Sequence, residues 1–146
     1  MFHVIIMIMN KDKIRKMVGL ILWWAEGTKS RRDKRGKNTW SYNVEVTNTN
    51  PRIIKHFLNF LRKDIGIDEN RLKLQLQIHE GDDKSSVENF WSKFTEIPLH
   101  RFNNTFIRPK GNKVGKTQGT CKIRYSSKTT YKVIEEQLEN LLNSLE

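Results

Sequence analysis

Two periods organise this chain, one helical and one alternating. Ile53, Ile54, Phe57, Leu58, Leu61 and Ile65 recur at helical spacing behind Asn50 and Pro51. They predict a helix capped by Asn50, opened by Pro51 and ended by Gly66. Strict alternation follows elsewhere. Trp40, Tyr42, Val44 and Val46 oppose Ser41, Asn43, Glu45 and Thr47; Leu72, Leu74, Leu76 and Ile78 oppose Arg71, Lys73, Gln75 and Gln77; Cys121, Ile123 and Tyr125 oppose Lys122 and Arg124. Each run predicts a strand with one apolar and one polar face. Val87, Phe90, Trp91 and Phe94 predict a further helix near 85–96, with Ser85 and Glu88 as a capping box and Pro98 beyond its end. Ile134, Leu138, Leu141, Leu142 and Leu145 predict a last helix from about Thr129.

The stretch Lys13–Gly27, KIRKMVGLILWWAEG, breaks the amphipathic pattern. It carries no charge from Met17 to Ala25, so no polar face is left for water. That run of nine residues falls well short of the roughly 20 that a bilayer needs. A helix packed on several sides within protein is predicted, with Gly19 as a point of close approach for another helix. The stretch ends on Glu26 and Gly27. Glycine is the usual stop, but a carboxylate at the negative end of a helix dipole costs roughly 0.3–1 kcal/mol unless something positive compensates. Either Glu26 is a solvated helix-end residue or a bound divalent metal balances it.

These elements predict an α+β fold: an antiparallel sheet with helices on one face and Asn43, Glu45, Lys73, Gln75, Gln77, Lys122 and Arg124 on the other. Residues 1–12 are an apolar extension that lengthens the first helix or covers an exposed edge, and 13–146 form a single domain. Charge then narrows the partners. The 146 residues hold 27 Lys+Arg against 16 Asp+Glu, a net +11, which favours polyanions and nucleic acid above all. A basic segment, TKSRRDKRGKN, brings Lys29, Arg31, Arg32, Lys34 and Arg35 to an expected hairpin tip. From Ile97 to Ile134 there is no acid at all, and a second expected loop there carries Lys110, Lys113 and Lys116. On the polar strand faces, Gln can bond adenine bidentately and Lys can donate to guanine or phosphate. A lone Cys121 excludes an internal disulfide and a Cys-based zinc cluster within one chain, which fits a reducing interior. The opening MFHVIIMIMN lacks a cationic start and a cleavage site, so an intracellular protein is expected. His3, His56, His79 and His100 are scattered without metal-ligand spacing.

GLILWWAEG, residues 19–27, resembles the helix of the LAGLIDADG homing endonucleases, a hydrophobic helix ending in acid-glycine. Ala25, Glu26 and Gly27 fit its last three positions, while Ile21, Trp23 and Trp24 stand where the family has smaller or acidic residues. VEVTNTNPRIIKHFL, residues 44–58, is similar to the family's second strand, turn and following helix. The resemblance implies an αββαββα core straddling double-stranded DNA, with the helix near 85–96 as an insertion. It implies a homodimer through the 13–27 helix, with Glu26 beside Ala25 holding Mg²⁺ at the DNA. Asn48 would help to place water, Arg52 would stand early in the following helix, and an active-site Lys is sought among Lys110, Lys113 and Lys116. The implied activity is metal-dependent double-strand cleavage at a near-palindromic site, with no membrane partner and no small-molecule substrate. Two rivals share the charge: a DNA-binding regulator of the same architecture without cleavage, and an RNA-binding or ribosome-associated protein.

Overall fold

Leu74 and Ile123, inward residues of two alternating segments, lie directly opposite each other in the folded chain. The computed structural model describes residues 2–29, 31–32, 40–110 and 118–146, and for 2–9, 31 and 32 the backbone alone. Helix α1 (Phe2–Glu26) leads to β1 (Arg31–Arg32), β2 (Trp40–Ser41) and β3 (Asn43–Asn48). Helix α2 (Pro51–Phe60) runs on into a π turn at Leu61–Ile65. Strand β4 (Leu72–His79), helix α3 (Lys84–Thr95), β5 (Phe106–Arg108), β6 (Thr120–Ser126) and α4 (Lys128–Leu145) complete the order. The fold is α+β. Four strands make the main sheet, in the order β3-β6-β4-β5, and β1 with β2 makes a two-stranded ribbon.

The alternation buries Leu72, Leu74, Leu76 and Ile78 of β4 and Cys121, Ile123 and Tyr125 of β6, as predicted. Behind them pack Ile54, Phe57 and Leu58 of α2, Trp91 of α3 and Ile134 of α4. Burial pushes the Cys121 thiol well above its ordinary range, so it stays protonated in the core. The Asn50 cap and Pro51 start hold, the Asn50 side chain accepting from the Arg52 N–H, and Gly66 closes the π turn at φ 75°. Residues 2–12 lengthen the first helix.

Several expectations are corrected. The sheet is mixed, because β5 runs parallel to β4 after the chain has crossed over through α3. Asp83 caps α3 in place of Ser85, its carboxylate accepting from the Ser86 N–H at 3.1 Å, where both the cap and the helix dipole favour an anion. Glu88 instead accepts from the Thr105 hydroxyl at 3.0 Å. Trp40 is exposed, since the predicted strand breaks at Tyr42 and its first part pairs with β1. Leu145 lies exposed in the last turn of α4.

The largest correction concerns α1. Its surroundings do not enclose it: Gly19, Leu20 and Trp23 face inward, whereas Ile14, Met17, Val18, Ile21 and Trp24 are exposed along one side. The inward seat is tight. A Cβ on Gly19 would stand 2.0 Å from Cγ of Phe60, so α1 and α2 close on each other where a side chain is missing. One turn further back, Arg15 forks onto Asp64 with Nε–Oδ2 2.9 Å and Nη2–Oδ1 3.0 Å, and the bond to Asp64 raises the pKa of the Arg15 guanidinium. Gly19→Ala is expected to lower the unfolding free energy by about 1–3 kcal/mol through overpacking. A urea melt with an unshifted midpoint would show that the two helices do not close at this residue.

Candidate nucleic-acid interface and the foot of the first helix

The polar residues of three strands fall into rungs across the sheet. Glu45, Arg124 and Lys73 form one, Thr47, Lys122 and Gln75 the next, and Thr120 and Gln77 a third that reaches Phe106 on β5. At about 3.4 Å per residue, successive rungs stand about 7 Å apart. Thr47, Gln75, Gln77, Phe106, Arg108 and Lys122 line a shallow groove of about 250 Å³ on this face. Lys73, Lys122 and Arg108 have no acidic partner among the described residues. Gln75 donates through Nε2 to the Asn104 carbonyl at 3.0 Å, which orients its side chain.

Glu45 departs from its expected role. It is 4% exposed and accepts from Nε of Arg124 at 2.5 Å, so it orients a cation and is not itself presented to a ligand. The pairing is what makes the carboxylate tolerable there, because an unpaired buried charge costs several kcal/mol, on the order of 3–5 when a partner is removed. Asn43 accepts from the Ser126 hydroxyl at the end of the same face.

The foot of α1 is fastened to the outer edge of this sheet. Gly27 forms an antiparallel bridge with Val46, and the Thr28 N–H donates to the Glu45 carbonyl at 3.1 Å. A Cβ on Gly27 would meet the Trp23 carbonyl oxygen at 2.3 Å and the Trp23 ring at 2.6 Å, so glycine is required by space here. Glu26, immediately before this junction, is exposed, as is Ala25. Lys29 is exposed, but its ammonium turns back onto the end of α1. Its Nζ donates to the Trp23 carbonyl at 2.9 Å and the Trp24 carbonyl at 3.4 Å, and it lies 3.9 Å from the centre of the Trp23 ring. Desolvation lowers the pKa of this ammonium. A cation on the last carbonyls supplies the compensation that the helix end calls for, so the dipole alone does not demand a metal beside Glu26.

The structure brings some predicted residues to this foot and not others. Asn48 ends β3, two residues past the bridge, with Oδ1 accepting from the Asn50 N–H at 2.8 Å. Arg52 is exposed in the first turn of α2. Lys122 stands opposite Thr47, one strand in from the foot. Lys110 follows β5 at the opposite edge, about three strand spacings or 14 Å across from β3. Strand order therefore makes Lys122, and not Lys110, the sheet lysine nearest the foot. Arg31 and Arg32 lie on the β1 backbone, while Lys34, Arg35, Lys113 and Lys116 fall outside the described residues. Phe106 escaped sequence reasoning because three strand residues are too few to show a period. Within one chain, no three metal-ligating side chains cluster among the described residues.

No family model, no curated protein and no solved structure matches this chain. No helix among the described residues is long and apolar enough to cross a membrane. Lys29→Met is expected to cost roughly 0.3–1 kcal/mol of folding stability by uncovering the helix carbonyls. A thermal melt of this variant indistinguishable from the unmodified protein would refute the capping role.

Proposed function

We propose that this chain is a LAGLIDADG-like DNA endonuclease that acts as a homodimer. One observation carries the proposal: Ile14, Met17, Val18, Ile21 and Trp24 form an exposed apolar stripe on α1, and the stripe stops two residues before the exposed Glu26. An apolar strip of that length on a soluble domain calls for a cover. A second copy, related by a two-fold axis along the helices, covers it with its own stripe and delivers two carboxylates to one place. An αββαββα reading of the chain would count the β1/β2 ribbon with β3 as its first strand pair and treat α3 and β5, the latter part of the main sheet, as an insertion between β4 and β6.

Each Glu26 is a hard oxygen donor open to solvent, and Mg²⁺ commonly binds through one or two carboxylates, waters and phosphate oxygens, so a pair of chains fits the ion better than one. When bound, the ion supplies Lewis-acid stabilisation of the phosphate and a more acidic water. The chain's own residues do the rest. Lys122 and Arg52 neutralise backbone phosphates near the foot, Asn48 offers an amide to a water at the end of β3, and the Glu45-held Arg124 reads a base edge. Two-fold symmetry makes the target near-palindromic.

A second assignment, a DNA-binding regulator without cleavage, is favoured by Lys29, which settles the helix end without any metal. The two part on a plasmid assay with Mg²⁺. Site-limited cuts that vanish in Glu26→Gln, with duplex affinity kept, support the nuclease. Duplex binding without cuts at saturating protein gives the regulator. Light scattering tests the dimer independently: Ile21→Glu should convert a dimer to a folded monomer, and a protein already monomeric at every concentration would overturn the paired-helix arrangement. Lys122→Ala should weaken duplex binding across sequences and reduce the salt slope by about 1.

A further inference from the structure

Phe106 is the misplaced residue of the polar face. It is 57% exposed on the short edge strand β5, a large aromatic ring set among cations and amides. Its parallel register sets it opposite Gln77, so both side chains leave the sheet on the same side, and Arg108 follows two residues on. All three line the groove that also holds Lys122. We infer that Phe106 and Gln77 together read one A·T base pair in the major groove of duplex DNA, with Arg108 on the neighbouring phosphate.

The chemistry of that pair selects the partner. In the major groove an A·T pair shows adenine N7 and N6, which an amide meets bidentately, and a thymine methyl group, which an aromatic ring meets without a hydrogen bond. Gln77 is the amide, and no hydrogen bond within the described residues engages its side chain. Strands lie about 4.8 Å apart, so the amide and the ring are spaced to touch neighbouring edges of one pair. A G·C pair offers no methyl and puts the O6 acceptor where adenine has its N6 donor, while N7 stays an acceptor. Because β5 lies at the sheet edge opposite the α1 foot, the position falls in the flank of each half-site and not at its centre.

This inference rests on the DNA-binding part of the proposed function. Its test is selection from a library of random DNA duplexes without divalent metal, using the full chain, Phe106→Ala and Gln77→Ala. The full chain should enrich a motif with an A·T pair at one flanking position, and both variants should lose the preference there by about tenfold while keeping the rest of the motif. Replacing that thymine with deoxyuridine, which lacks only the methyl group, should weaken the full chain and leave Phe106→Ala unaffected. A motif that survives unchanged in both variants overturns the inference and leaves DNA binding standing. No enriched motif from the full chain overturns DNA sequence recognition itself. Equal competition by single-stranded DNA would reassign Phe106 to base stacking and also overturn the inference.

Discussion

The junction at Gly27 ties the helix layer to the sheet. Five residues, Trp23 to Gly27, end the helix, give up a side chain to admit the Trp23 ring and place a backbone bridge on Val46. Trp23 in turn meets Tyr131 of α4 edge-on at 5.3 Å, so the same residue that closes the helix also anchors the C-terminal one. Loosening this point would free the foot of α1 from β3 and from Tyr131 of α4. It would also leave Glu26 without a fixed position relative to the sheet, whatever chemistry that carboxylate performs.

Two crossings hold α1 along its length, and they differ in kind. At Gly19 the fit is steric and short-ranged, with Phe60 occupying the space of the absent side chain. At Arg15 it is a two-toothed charge pair with Asp64, which specifies rotation and register more than it adds net stability. Together they turn Leu20 and Trp23 inward, which leaves Ile14, Met17, Val18, Ile21 and Trp24 facing outward. The exposed stripe is thus a consequence of how the helix is seated, not a failure of its packing.

Much of this was legible in the chain. Alternation gave the burial of β4 and β6 residue by residue, because a half-covered sheet forces period two, and the Asn50-Pro51 start of α2 carried its own stereochemistry. Gly19 announced a close approach, although its visitor is α2 of the same chain. What could not be read is long-range. No local pattern tells that Lys29 turns back onto carbonyls, that Glu45 folds under Arg124, or that α3 returns the chain parallel to β4. Those outcomes depend on which segments meet. The uncharged run from Met17 to Ala25 misleads for a related reason: absence of charge marks surface withheld from water, but does not say whether the chain's own residues or another body withholds it.

Strands β4 and β6 are antiparallel neighbours, and Gln77 faces Thr120 across them. Residues 78–119 therefore depart and come back at almost one point, with Trp91 Nε1 clasping the Gln118 carbonyl at 2.7 Å beside the point of return. In architectural terms this is a graft on a hairpin. Such a detour can vary at its exposed turns while the strands it springs from keep their partners, provided Val87, Trp91 and Ile97 still fill the shared core. The sheet's far margin is then free to diversify, and the margin joined to α1 need not change with it.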